Sequence, residues 1–421
     1  MGGAYSESGV ALARPRYHPR VPDASCDVLI VGAGVVGLAT GLALVEQFGD
    51  RLVVVEAEAD VAQHQTGHNS GVIHSGLYYA PGSYKARLCA EGRDLLYRFC
   101  ADHGVPHERC GKVVVATSEE ERPRLEALRA RGEANGLQDL RVLTGDQLRE
   151  IEPHVAGIAG LRVHETGIVN YGAVSRAYRE VLQRGGARVL TGARLLAVRQ
   201  ETGGLVAETA AGSIHARLLV NCAGLQSDRV ARLCGADPDV RIVPFRGEYY
   251  DVGPTGRHLV KHLIYPVPDP AFPFLGVHFT RRVEGTIEAG PKAVIAFRRE
   301  GYGRWDVSAR DMADWMAYPG FWRMGRRMWR VGVQEFARSL SKAQFTRDLQ
   351  TLVPAITEAD LAPGGAGVRA QAVDRDGKLV DDFRFADTAR AVHVLNAPSP
   401  AATASLAIGR VVAERVRAGL G

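Results

Sequence analysis

Cys26-Asp27-Val28-Leu29-Ile30-Val31-Gly32-Ala33-Gly34-Val35-Val36-Gly37 is the stretch that decides the fold. A short run of strand formers meets three glycines spaced GxGxxG, and helix formers follow to about residue 48. Leu52-Val53-Val54-Val55 then reads as a second strand, closed by Glu56. This strand–turn–helix–strand unit opens a parallel sheet. Gly32 permits the tight turn, Gly34 lets backbone approach a pyrophosphate, and Gly37 lets helix and strand pack closely. The helix N-terminus offers N–H groups and positive dipole to phosphates. Glu56 is placed to accept hydrogen bonds from ribose hydroxyls. The competing reading, a glycine turn without a ligand, is weakened by the acid at the second strand's end. The motif alone does not separate FAD from NAD(P).

Other pieces of the same sheet lie far along the chain. Segments 193–198 and 214–220 read as strands, the latter ending in Asn221-Cys222-Ala223-Gly224. Helical stretches are expected at 174–184 and 402–418. Between them, 111–116, 241–252 and 276–297 alternate as strands do. The chain is therefore expected to be an α/β (α+β) protein. Its Rossmann-like domain is built from discontinuous segments, 25–105, 165–240 and 360–421. A mixed-sheet second domain takes 106–164 and 241–359, and 1–24 form a polar, disordered lead-in.

Composition bounds the function. The 421 residues, 46% hydrophobic and 24% charged, allow two globular domains. A net charge of +5, spread over many arginines, fits an anionic ligand or an acidic surface. No basic block points to nucleic acid. The six cysteines show no CxxC or zinc spacing, so no metal site is expected and the thiols read as reduced, in a cytoplasmic setting. No run approaches the ~20 apolar residues of a membrane-spanning helix, and the N-terminus lacks a signal's apolar core.

A second segment carries more information: Gln63-His64-Gln65-Thr66-Gly67-His68-Asn69-Ser70-Gly71-Val72-Ile73-His74-Ser75-Gly76-Leu77-Tyr78-Tyr79. It is dense in small residues, hydroxyls and imidazoles. Glycines allow close approach to a large flat ligand, and hydroxyls and amides supply donors. This segment resembles the L-2-hydroxyglutarate dehydrogenase/oxidase family of the D-amino-acid-oxidase superfamily. So do Arg241-Ile242-Val243-Pro244-Phe245-Arg246-Gly247-Glu248-Tyr249, Ile264-Tyr265-Pro266-Val267-Pro268 and Phe272-Pro273-Phe274-Leu275-Gly276-Val277-His278-Phe279-Thr280. Gly367-Val368-Arg369-Ala370-Gln371-Ala372 and Asn396-Ala397-Pro398-Ser399-Pro400-Ala401-Ala402-Thr403 complete the set, and the likeness spans roughly 26–415.

The resemblance implies an FAD-binding first domain and a substrate-binding second one. It implies that Thr66, Gly67, His68, Asn69 and Ser70 pass along the pyrophosphate and flavin. Leu195 falls beside the adenine, and Ala223 and Gly224 close the same cofactor site. Asn396, Ala397, Pro398 and Ser399 face the pyrimidine edge of the flavin, where a helix N-terminus would stabilise negative charge. No attachment Cys or His is evident, so noncovalent FAD is expected. The implied substrate is L-2-hydroxyglutarate, a small dicarboxylate, and the implied product is 2-oxoglutarate. That oxidation needs carboxylate anchors, a base for the hydroxyl proton, and the C2 hydrogen held against the cofactor.

Arg369, in a Gly-x-Arg, is the first choice of anchor, because a guanidinium forks to a carboxylate. Arg246 and Tyr265 are further candidates, each competing with a structural role. His74 and His278 are both candidates for the base. The four tryptophans fall between 305 and 329. Taken as a helix, 320–331 places Phe321, Trp322, Met324, Met328, Trp329 and Val331 on one half, and Arg323, Arg326, Arg327 and Arg330 on the other. That pattern suits peripheral contact with the inner face of the cell membrane, or packing on protein. Electrons would then pass to a membrane quinone, with oxygen as the other acceptor. Two other functions stay open: a flavin amine oxidase of the glycine/sarcosine type, and an inactive flavin-binding membrane or assembly protein.

Overall fold

The computed structural model describes residues 24–269, 276–339 and 341–421. The expected lead-in, Ala24 apart, and Phe272–Leu275 of one motif lie outside the described residues.

The glycine-turn unit sits at the centre of an eight-stranded sheet. Ala24–Val31 pairs in parallel with Gly212–Asn221 on one side and with Leu52–Val55 on the other. Parallel strands buried on both faces read as continuous apolar runs, and this one alternates between two cores. Val28 and Ile30 pack with Leu38, Tyr178 and Ile408 from the helices Val35–Leu42, Tyr171–Arg184 and Ser405–Leu420. Leu29 and Val31 face the opposite core with Val53, Leu205 and Leu219. The register sets Val31 beside Val55 and Asn221, so the glycine turn, Glu56 and Cys222-Ala223-Gly224 gather at one carboxyl edge. Ligands of such sheets bind at that edge.

The second sheet also has eight strands, and its edge-to-edge order explains the site. It runs Leu361–Asp374, Val240–Val252, Ile287–Ile295, His278–Arg281, Leu263–Pro266, Lys112–Ala116, Ala159–Val163, Arg141–Thr144. One face carries Val113, Ile264, Phe279 and Ile287 under the helix Lys342–Gln350, whose Phe345 is buried. Tyr265 lies opposite Val114, and the pairing of Ile264 with Phe279 brings Tyr265 alongside His278. Those residues, with Lys112 two positions before Val114, occupy the other face, toward the first domain.

One expectation changes here. Leu361–Asp374 pairs along its length with Val240–Val252, so it belongs to the second sheet rather than to the first domain. The glycine-rich start of that strand reads locally as a loop, but antiparallel pairing gives its backbone partners that no local signal shows.

Candidate active site

A cavity of about 1530 Å³ runs between the domains, from the glycine turn to the free face of the second sheet. At its first end Gly32 adopts φ +104°, a left-handed conformation that favours glycine, and its N–H donates to the Val55 carbonyl at 2.8 Å. Glu56 is fixed by two backbone donors: Ala33 N–H to Oε2 at 2.8 Å and Glu58 N–H to Oε1 at 3.1 Å. A carboxylate oxygen can accept more than one bond, so Glu56 keeps capacity for a ligand hydroxyl. Gly34 starts the helix without a side-chain cap, and Val35 N–H is held by Thr66 Oγ1 at 3.1 Å.

Gly37 does not line the cavity. A Cβ there would lie 2.0 Å from the Gly32 carbonyl oxygen, so the turn keeps its shape only with glycine. Gly37→Ala is expected to cost on the order of 3 kcal/mol and to displace the phosphate-facing backbone. The check is cofactor absorbance per chain together with the melting temperature, and both should fall.

The loop after Glu56 is wired internally. Asn69 Nδ2 donates to the Thr66 and Gln65 carbonyls at 2.6 and 3.2 Å, and Oδ1 accepts from Gly71 N–H at 2.8 Å. Gly67 serves packing rather than ligand contact, since a Cβ would meet the Ala62 carbonyl oxygen at 2.4 Å. The His68 ring stacks on Tyr302 with centroids 3.9 Å apart. Thr66, Asn69 and Ser70 line the cavity, as do Leu195, Ala223 and Gly224. Ala397, Pro398 and Ser399 line its other wall. Asn396 is a correction: it is buried, and its Nδ2 donates to the Val380 and Asp382 carbonyls, so it braces this loop from behind. The following helix begins at Ser405, three residues later than expected.

The second end holds the groups for chemistry. Arg369 reaches into the cavity from its strand and bonds the Tyr249 hydroxyl. Gly367 beside it is required because a Cβ would meet the His68 carbonyl oxygen at 2.4 Å. That contact explains the Gly-x-Arg pattern: the glycine lets the arginine's strand cross the flavin loop. His278 Nδ1 lies 2.9 Å from the Gly276 carbonyl oxygen, which only accepts. The neutral ring therefore carries its proton on Nδ1 and presents Nε2 as an acceptor. Burial, then the Arg369 and Lys112 cations, push the His278 pKa down to about 4, against the Gly276 bond, which raises it.

His74 is tethered differently. Its N–H donates to Thr403 Oγ1 at 3.0 Å, and Nε2 lies 3.3 Å from Ser399 Oγ. Its open edge faces the cavity, and burial with nearby positive charge pushes its pKa down to about 3. Two expectations need correction. The Tyr265 hydroxyl is bonded to Thr280, so Tyr265 offers its ring, tilted against His278 with centroids 4.0 Å apart, rather than a donor to a carboxylate. Arg246 is 4% exposed and lies outside the cavity lining. It pairs with Glu248 at 2.8 Å and donates to the Gly303 carbonyl at 3.0 Å. The neighbour of Arg246 in sequence, Gly247, faces the cavity, and alternation turns the arginine away. Sequence reasoning missed Tyr249, which closes the same Arg-Gly-Glu-Tyr motif, and Tyr78, both of which line the cavity.

Among the described residues, Glu58, His64 and Glu300 bring ligand atoms within 4.8 Å of one another, but Arg194 and Gln226 already engage the two carboxylates.

Comparison with known proteins fits this geometry. The family model described as FAD dependent oxidoreductase matches residues 27–415. An L-2-hydroxyglutarate dehydrogenase of Indibacter alkaliphilus is 50% identical over 389 residues, covering 92% of this chain and 98% of that protein. The mitochondrial L-2-hydroxyglutarate dehydrogenase of Homo sapiens is 42% identical, covering 99% and 95%. Among solved structures, the FAD-bound L-alpha-glycerophosphate oxidase of Mycoplasma pneumoniae superposes with a TM-score of 0.76 at 24% identity, covering 93% and 94%. Glycine oxidase of Geobacillus kaustophilus gives 0.68 at 18%, covering 94% and 95%. Both share the fold. The cofactor is FAD, and an elongated cavity with a glycine turn and acid at one end is the shape it requires. With half to two-fifths of its residues shared along nearly its whole length, the chain belongs to the L-2-hydroxyglutarate dehydrogenase family of FAD-dependent oxidoreductases.

Proposed function

We propose that this chain oxidises L-2-hydroxyglutarate to 2-oxoglutarate, with Arg369 as the carboxylate anchor and His278 as the base. The observation that carries the reading is that a guanidinium and an imidazole with an open Nε2 share one sheet face at the end of the cofactor cavity. When bound, FAD supplies a two-electron acceptor for the hydrogen leaving C2. Arg369 fixes the acid bidentately and so sets the hydroxyl against the imidazole. His278 Nε2 accepts the hydroxyl proton. Burial and positive neighbours keep that nitrogen unprotonated before substrate arrives, and the substrate's negative charge then raises its basicity. His74, tied to Ser399 and Thr403, orders the loop that cradles the cofactor. Thr66, Ser70, Leu195 and the 397–399 loop hold FAD without a covalent bond, and denaturing the protein is expected to release all its yellow colour.

The test is anaerobic bleaching of the holoprotein by L-2-hydroxyglutarate, glycine, sarcosine and L-malate in parallel. Bleaching by the hydroxy acid supports the proposal. Bleaching by an amine alone would make the protein an amine oxidase, and a colour that no acid discharges would make it a flavin carrier.

For the acceptor we infer a membrane quinone, reached through the helix Pro319–Ser339. Pro319 occupies a first-turn position that tolerates proline. The apolar half expected there splits in two. Met324 is buried and Phe321 and Met328 pack with it, while Trp322, Trp329 and Val333 are exposed at 54, 59 and 61%. Exposed Arg326 and Arg330 flank them, a combination suited to an anionic bilayer surface. No helix of the described residues is long and apolar enough to cross a membrane. Trp322→Glu/Trp329→Glu is expected to abolish sedimentation with anionic phospholipid vesicles and quinone reduction on them, leaving anaerobic bleaching intact. Rapid oxygen consumption by the unmodified protein would favour oxygen instead.

A further inference from the structure

Lys112 opens a central strand of the second sheet and is 2% exposed. Its Nζ lies 4.2 Å from the Tyr78 ring centroid and 5.2 Å from that of Tyr265. Among the described residues no carboxylate is within ion-pair reach of it and no acceptor bonds it. A buried ammonium without a counter-charge is costly, and two aromatic faces offset only part of that cost. The Tyr78 hydroxyl beside it is also buried and has no hydrogen-bond partner among the described residues. A cation and a donor thus stand side by side, neither matched by an acceptor among the described residues.

Their position gives them a use. The Tyr265 ring beneath Lys112 lies tilted against His278 with centroids 4.0 Å apart, and the charge of Lys112 is felt at both His74 and His278. Arg369 acts on the same two imidazoles from the opposite side. In the sheet, His278 stands three strands from Arg369 and two from Lys112. The reacting group therefore has a cation on each flank, as a substrate with an acid at each end would need.

We propose that Lys112, with Tyr78, is the specificity-determining element for a second carboxylate, so that the site selects dicarboxylic over monocarboxylic hydroxy acids. The assignment rests on the hydroxy-acid reading above. Lys112 acts from behind the tyrosine rings, as a positioning charge: Arg369 holds the acid next to the reacting carbon, and the buried ammonium balances the distal one.

The groups facing Lys112 are Tyr78 from the loop, Cys89 from the helix Tyr84–Asp102, Tyr265 from the adjoining strand, and more distantly His74, His278 and Arg369. Burial pushes the phenols up and the Cys89 thiol up to about 12, and it pushes both imidazoles down, so all of these stay neutral around neutral pH. Burial brings Lys112 itself down to about 7, so it is the member that changes charge there. Loss of that charge with rising pH should weaken dicarboxylate binding.

The experiment measures kcat and KM of the FAD-loaded chain for L-2-hydroxyglutarate and for L-2-hydroxypentanoate, which has the same length and one carboxylate. Lys112→Met is expected to raise KM for the dicarboxylate by about tenfold or more while moving KM for the monocarboxylate by no more than about twofold. Tyr78→Phe should act in the same direction, more weakly. In the unmodified protein, KM for the dicarboxylate should climb as pH rises through neutrality. Lys112→Arg, which keeps its charge, should flatten that climb, and this readout decides the matter should the methionine variant not fold. Equal losses for both acids, or a yellow, folded Lys112→Met with unchanged dicarboxylate KM, would overturn the assignment while leaving the hydroxy-acid reading in place. An unmodified protein that oxidises neither acid would remove both.

Discussion

Arg369→Ala is expected to lower kcat/KM for the hydroxy acid on the order of a thousandfold, because it removes a charged, two-pronged hydrogen bond in a partly dry cavity. The fold should survive. The side chain reaches into the cavity, while the strand keeps its backbone pairing to Phe245 and Gly367 keeps its close passage by His68. Arg369→Lys restores charge without the fork, so its loss should be intermediate. Tyr249→Phe removes one bond to the guanidinium and should cost about tenfold. Steady-state kinetics with flavin content measured on each variant checks the series. An Arg369→Ala protein with unchanged KM would remove the anchor from the account.

His278→Gln should reduce kcat by on the order of a hundredfold to ten-thousandfold with little change in flavin binding, the range for loss of a positioned base. His74→Ala should instead loosen FAD, since His74 is bonded to the loop and turn that frame the cofactor wall. The pH profile carries the sign. The base works unprotonated, and its pKa lies at about 4 against an ordinary 6.5. On the acid side, kcat/KM should therefore hold as pH falls below 6 and drop only toward about 4. Arg369 and Lys112 both depress this value, so removing either cation should move the acid limb to higher pH.

Stability follows the same linkage. His278 and His393 titrate at about 4 in the fold and His74 at about 3, burial being the leading cause in each. Below their ordinary 6.5, the unfolded chain binds protons that the fold refuses. Their contribution is thus complete above pH 6.5 and is lost as pH falls toward 4.

Much of this was legible in the residues because the signals were local. The glycine turn, Glu56 and the two strands encode their own geometry, and the sheet register then assembles them at one edge. The 63–79 loop announced itself by composition, and Arg369 by its glycine. What stayed hidden depended on pairing across long separations. Arg246 and Arg369 look alike in sequence. Only the register turns one toward Glu248 and the other into the cavity. Lys112 opens an apolar strand with no local mark of burial, and its burial comes from Tyr78 and Tyr265, distant in the sequence. The helix at 319–339 showed its amphipathic period but not how that apolar half would divide between core and surface.

The most direct measurement is an anaerobic titration of the purified yellow protein with L-2-hydroxyglutarate, quantifying bleaching and 2-oxoglutarate together. The account predicts that each equivalent of the acid discharges one equivalent of flavin and yields one of the keto acid, and that the Arg369→Ala protein needs far more. A protein that binds FAD but keeps its full colour with excess acid, or bleaches without forming the keto acid, would contradict it.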